Sequence, residues 1–161
     1  MLRYIGIICI FIFTFYAVFC YERYQKARIL QGEVFLLLLK FLLDELKGYG
    51  RPPAECIRDF QSGSLKKTPF FHAVEQGASL SEAYASARDC LCLPQGMDLI
   101  LESAFSTFGR GGRREECRRL SSEATRAEAV LEEQKQQQTR NLRLCRTLAT
   151  ASAMGLVILL L

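Results

Sequence analysis

The chain has one histidine, His72, in 161 residues, and no apolar/polar alternation long enough to read as a β-strand. The first shortage bears on chemistry. Zinc sites are usually built from paired C-x2-C clusters, or from cysteines joined by histidines. The nearest approach here is the C-x-C of Cys90 and Cys92. Seven cysteines is an odd number, and Cys9 and Cys20 lie in or beside an apolar run, which does not suit a disulfide framework. Reduced thiols packed as small apolar residues, in a reducing compartment, are expected. No Ser/His/Asp grouping, metal cluster or cofactor loop is present. Glu115-Glu116 and Glu132-Glu133 are adjacent on a helix, where neighbours do not face one another. No enzyme activity, cofactor or metal is expected. The formal charge of +4 is mild and forms no dense basic patch, so nucleic acid is not an expected partner. It is compatible with a place near anionic lipid.

The lack of strands leaves an all-α chain. Residues 113–146 contain neither Gly nor Pro and consist mainly of good helix formers, and residues 148–161 carry no charge. One helix over both would be roughly 70 Å long, starting charged and ending apolar. At the other end, residues 4–21 are uncharged, close to the roughly 20 residues that cross a bilayer. Tyr4, Tyr16 and Tyr21 lie towards the ends of that run, as an aromatic belt would place them, and Phe19-Cys20 does not suit signal cleavage. The expected architecture is therefore a membrane-anchored bundle of about six cytoplasmic helices. Residues 1–21 form an N-terminal transmembrane anchor, 22–146 the cytoplasmic domain and 147–161 a C-terminal transmembrane segment, each span continuous with a long helix. Arg23, Lys26 and Arg28 after the first span, and Arg140, Arg143 and Arg146 before the second, put the centre on the cytoplasmic side. Ala149, Ala151, Ala153 and Gly155 have the small-residue spacing that lets helices approach closely in lipid.

Between the ends, residues 21–46 read as a helix continuing from the first span, and its segment 34–43, apolar except Lys40, is expected to be buried on most sides. Gly48, Gly50 and Pro52 end it, and Pro53 opens a short helix reaching about Gln61. Residues 61–64 are a turn. Thr68-Pro69 reads as N-cap and first helical residue of a helix closing at Gly77. Ser79 and Glu82 have capping-box spacing, with Leu80 and Tyr84 towards the core. Leu93-Pro94 starts another helix, carrying Met97, Ile100, Leu101, Phe105 and Phe108. On the long helix, Cys117, Leu120, Ala124, Ala127 and Leu131 make a heptad-like seam, weakened further on by Gln134, Gln138 and Asn141. That seam packs on the chain's own helices or on a second copy, so a homo-oligomer is possible.

Residues 109–114 hold three glycines and three arginines but lack the Lys-Ser/Thr and the preceding strand of a P-loop. A solvated turn, or one whose arginines meet a partner or lipid headgroups, fits better. The candidate partner contacts are Tyr49, Arg51, Arg110, Arg113 and Arg114.

Several passages resemble the stage III sporulation protein AB family. Leu43-Asp44-Glu45-Leu46-Lys47-Gly48-Tyr49-Gly50, then Pro52-Pro53-Ala54-Glu55, is similar to its "helix, Y-G, P-L-x-E-A" passage, with Pro53 in place of the usual Leu. Phe70-Phe71, Val74-Glu75-Gln76-Gly77 and Leu80-Ser81-Glu82-Ala83-Tyr84 resemble its next two helices. Phe105-Ser106-Thr107-Phe108-Gly109-Arg110 resembles its "F-x-x-x-L-G" turn. Where that family has an Asp and then Gly-Gln, this chain has the more basic Gly111-Gly112-Arg113-Arg114-Glu115-Glu116. The resemblance implies similarity to the helical cytoplasmic domain of the F-type platform proteins of type II secretion and type IV pili. It also implies a place in a secretion-like channel complex at the mother-cell membrane around the forespore. The implied partners are the stage III sporulation ATPase AA and other subunits of that complex, beside the lipid bilayer. The rival readings are a membrane-anchored coiled-coil scaffold or regulator unrelated to sporulation, and a thiol enzyme built on Cys90 or Cys92.

Overall fold

A computed structural model describes residues 2–48, 53–60, 63, 65–109 and 111–160. Among these residues six α-helices run in order: α1 (Leu2–Gly48), α2 (Pro53–Asp59), α3 (Pro69–Glu75), α4 (Leu80–Ala87), α5 (Met97–Thr107) and α6 (Arg113–Leu160). Two 3-10 turns that the sequence did not announce lie at Leu65–Lys67 and Arg88–Cys90. No strand occurs among the described residues. The chain forms two compact units, one of Met1–Ala27 with Lys135–Leu161 and one of Arg28–Gln134. Both long helices contribute to each.

The larger unit holds the core. Four rings from four helices meet there: Phe35 of α1 lies edge-on to Phe70 of α3 at 5.5 Å, and Phe70 stacks on Phe105 of α5 at 5.6 Å. Tyr84 of α4 closes the group at 5.4 Å from Phe105. The apolar stretch of α1 is buried on most sides, as Phe35, Leu38, Leu39 and Leu42 show, but Leu37 is 58% exposed. From α6 come Leu120, Ala124, Ala127 and Leu131, all buried in this core, so the upper seam packs on the chain's own helices. The two alanines let α6 lie close. Gly32 of α1 does the same, since a Cβ there would stand 2.7 Å from Leu131 and 2.9 Å from Pro94. Arg28 fastens the 91–96 segment to α1 by donating to the Leu93 carbonyl at 3.0 and 2.9 Å, and Gln31 accepts from the Cys92 amide at 2.7 Å.

The local signals before α3, α4 and α5 fared differently. Ser79 and Glu82 form the expected capping box, with Ser79 accepting from the Glu82 amide and Glu82 accepting from the Ser79 amide. Thr68 precedes α3 with Pro69 in the first turn, but its side chain accepts no capping bond; its hydroxyl donates backwards to the Leu65 carbonyl at 2.6 Å. Helix α5 begins at Met97, after Gly96 with φ 87°, rather than at Leu93-Pro94. Phe108 lies beyond its end, in extended conformation.

In the smaller unit, Phe11, Thr14, Val18 and Tyr21 of α1 are half-buried, as are Gln138, Leu142, Cys145 and Ala149 of α6, and Ala153 is buried. The seam steps from Gln138 to Leu142 and leaves Asn141 exposed. Glu22 ties the two segments together with Arg146 at 2.8 Å.

The expectation for the two ends does not hold. Among the described residues, no helix is long and apolar enough to cross a membrane. Terminal transmembrane helices at 1–21 and 147–161 are thereby overturned, and with them the two-pass topology and the orientation read from flanking cations. The uncharged run 4–21 falls just short of the length a crossing needs and meets Glu22, Arg23 and Lys26 at once. The run from 148 is shorter still and is diluted by Thr150, Ser152 and Gly155. A crossing needs roughly 20 predominantly apolar residues.

Candidate functional site

The end of the larger unit where α1 stops and α6 starts carries the basic turn. Tyr49, Arg51 and Arg110 lie outside the described residues. Arg113 is exposed, but its guanidinium turns back onto the end of α1. Its guanidinium donates to the Leu46 and Lys47 carbonyls at 2.7 Å each and to that of Gly48 at 3.1 Å. Those carbonyls are among the last four of α1, which have no partner within the helix, and a cation there also meets the negative end of its dipole. Arg113 thus clamps the first long helix to the start of the last. The turn before it needs Gly109, at φ 83°, a region that L side chains rarely adopt. The Gly111 amide donates to Glu116 at 3.0 Å, and the Gly112 carbonyl accepts from the amides of Glu115 and Glu116. With the turn fixed, Arg114 and Arg118 stand exposed on the first turns of α6.

Beside the turn lies a groove of about 270 Å³ between α5 and α6, with Ser103, Thr107 and Phe108 on one wall and Arg119, Leu120 and Glu123 on the other. Its polar groups are engaged with one another. Ser103 donates to Glu123 at 3.1 Å, Arg126 pairs with Glu123 at 3.0 Å and Arg119 pairs with Glu115 at 2.8 Å. Carboxylates held this way shape a surface.

A second cluster, which the sequence did not signal, joins α4 to α5. The buried Tyr84 hydroxyl donates to the Asp98 carboxylate at 2.6 Å, and Arg88 pairs with Asp98 and, at 3.5 Å, with Glu102. Burial, then the hydrogen bond to Asp98, push the Tyr84 hydroxyl well above the usual phenol range. The Asp98 carboxylate in turn raises Arg88. The only hint was Tyr84 at a core position near acidic and basic residues, since the contact spans 14 residues and a turn.

Of the small residues, Ala149 and Ala153 face into the smaller unit, while Ala151 and Gly155 point outward. None of the seven cysteines is joined in a disulfide; Cys56 is buried and Cys117 and Cys145 half-buried, but Cys9, Cys20, Cys90 and Cys92 are exposed. The expectation of packed thiols therefore fits the first three and fails for the other four, because the flanking 3-10 turn and the outer face of α1 turn them to the surface. Among the described residues no group of three or more His, Cys, Asp or Glu could hold a metal ion.

Neither the curated proteins nor the solved structures gave a match. The sequence model of the family described as stage III sporulation protein AB matches residues 3–161. That match takes in both long helices, the aromatic core and the basic turn, and the chain belongs to the stage III sporulation protein AB family.

Proposed function

We propose that this sporulation protein is a non-catalytic adaptor, a platform subunit of a secretion-like complex at the mother-cell membrane around the forespore. On this reading it docks a cytoplasmic ATPase through the end of the bundle where α6 begins. The observation that carries the reading is the family match over residues 3–161, which takes in both long helices and the basic turn. The turn and groove support it. Arg113 is engaged in holding α1, Gly109 fixes the turn, and Arg114 and Arg118 remain exposed for an acidic surface, with Phe108 at the edge of the adjoining groove. A rigidly mounted cation pair gives orientation and on-rate to an encounter. No observation favours the coiled-coil scaffold, because the upper seam of α6 lies in the chain's own core.

The test is capture of the tagged full chain from sporulating cells. An ATPase encoded for the same stage is expected among the retained proteins, and its retention is expected to drop with Arg114→Glu. Retention of no ATPase would remove the docking claim.

A further inference from the structure

The smaller unit has an unusual charge. Residues 1–27 and 135–161 hold seven of the chain's 21 lysines and arginines but only one of its 17 carboxylates, Glu22, for a net +6 against −2 in the rest. The same unit contains a groove of about 390 Å³. Its walls are Phe11, Phe15, Val18 and Phe19 from α1 and Ala149 and Ala153 from α6. Two threonines also line it, yet neither hydroxyl offers a hydrogen to an occupant. Thr14 donates to the Ile10 carbonyl at 2.7 Å, and Thr150 to the carbonyls of Arg146 and Thr147 at 3.0 and 2.9 Å. At one end of the groove Glu22 takes both Arg146, at 2.8 Å, and Lys26, at 3.0 Å. One carboxylate cannot neutralise two cations, and both cations are largely exposed while Glu22 is not. Hydrogen bonds from Lys26 and Arg146 hold the Glu22 carboxyl below its ordinary range, so it stays ionised and the surplus of one positive charge persists in mildly acidic solution.

We propose that this groove binds one acyl chain of an anionic phospholipid, with the phosphate set against Arg146 and Lys26. An apolar trough whose two hydroxyl hydrogens are engaged within their own helices suits a chain that makes no hydrogen bonds, and offers the carbonyls of a peptide backbone no hydroxyl donor. The cations at its end match the headgroup, and juxtaposed basic residues favour anionic lipid. The inference is independent of the ATPase reading, which concerns the other unit.

Native mass spectrometry of the full chain in neutral detergent, with dioleoylphosphatidylglycerol or dioleoylphosphatidylcholine added, tests it. One phosphatidylglycerol per chain is expected, in preference to phosphatidylcholine. Lys26→Gln with Arg146→Gln is expected to cut that preference by roughly fivefold for each cation removed. Ala149→Leu with Ala153→Leu fills the groove and abolishes retention of either lipid. Phe15→Gln, at an exposed position on the wall, is expected to weaken both without disturbing the helices. Equal retention of the two lipids by the unaltered chain would overturn the proposal, as would retention of neither. Undiminished phosphatidylglycerol binding by the leucine variant or by Phe15→Gln, with helical circular dichroism intact, would do the same.

Discussion

Gly32 lies in the middle of a helix, where glycine normally costs about 1 kcal/mol against alanine. Its reason is distant in sequence, in Leu131 and Pro94, whose atoms occupy the space of a side chain. Overpacking of this kind costs ~1–3 kcal/mol, so Gly32→Ala is expected to lose about 1 kcal/mol net. The shift of the chemical-denaturation midpoint measures it, and an unchanged or raised midpoint would show that Leu131 and Pro94 yield freely. Ser79 is the opposite case. Its capping box is local, three residues from donor to acceptor, and was legible for that reason. Ser79→Ala is expected to cost about 1 kcal/mol in the same assay. Thr68 shows where local reading fails. Its hydroxyl was expected to accept from an amide of α3, and instead donates to the carbonyl of Leu65 in the unforeseen 3-10 turn.

At the scale of elements, Tyr84, Asp98 and Arg88 decide how α4 and α5 meet. The folded state raises the phenol, so the unfolded chain loses that proton first as pH climbs. The stability this group contributes is whole below the ordinary tyrosine value of about 10 and falls as pH rises beyond it. Tyr84→Phe is expected to flatten the alkaline loss of thermal stability, and an equally steep loss in the variant would assign it elsewhere. None of this was readable from spacing, because the pairing depends on the angle between two helices. The start of α5 was misplaced for a related reason. Leu93-Pro94 looks like a first turn, but the Met97 amide donates to the Pro94 carbonyl and Gly96 takes a left-handed conformation that only the folded turn demands. By contrast α1 and α6 were legible from composition, since neither run contains a proline.

For the molecule as a whole, the seam of α6 was visible as a period but not as a destination. Leu120, Ala124, Ala127 and Leu131 would serve a dimer or a bundle equally well in sequence; the aromatic core built by α1, α3, α4 and α5 takes them. Ala127→Leu is therefore expected to destabilise the chain by ~1–3 kcal/mol while its sedimentation coefficient stays the same. A change of oligomeric state with stability retained would return the seam to a second copy. The ends were misjudged because a run without charges was taken as a run long and apolar enough, and among the described residues no helix meets both conditions. The basic turn was legible as basic, but not the inward use of Arg113, which follows from three carbonyls more than sixty residues earlier. That clamp leaves Arg114 and Arg118 as the groups a partner would meet. The direct test is the affinity of the purified full-length chain for the purified sporulation ATPase, measured with and without Arg114→Glu and Arg118→Glu. The docking account predicts binding by the unaltered chain and a loss of roughly tenfold or more on charge reversal. No binding, or equal binding by both forms, would contradict it.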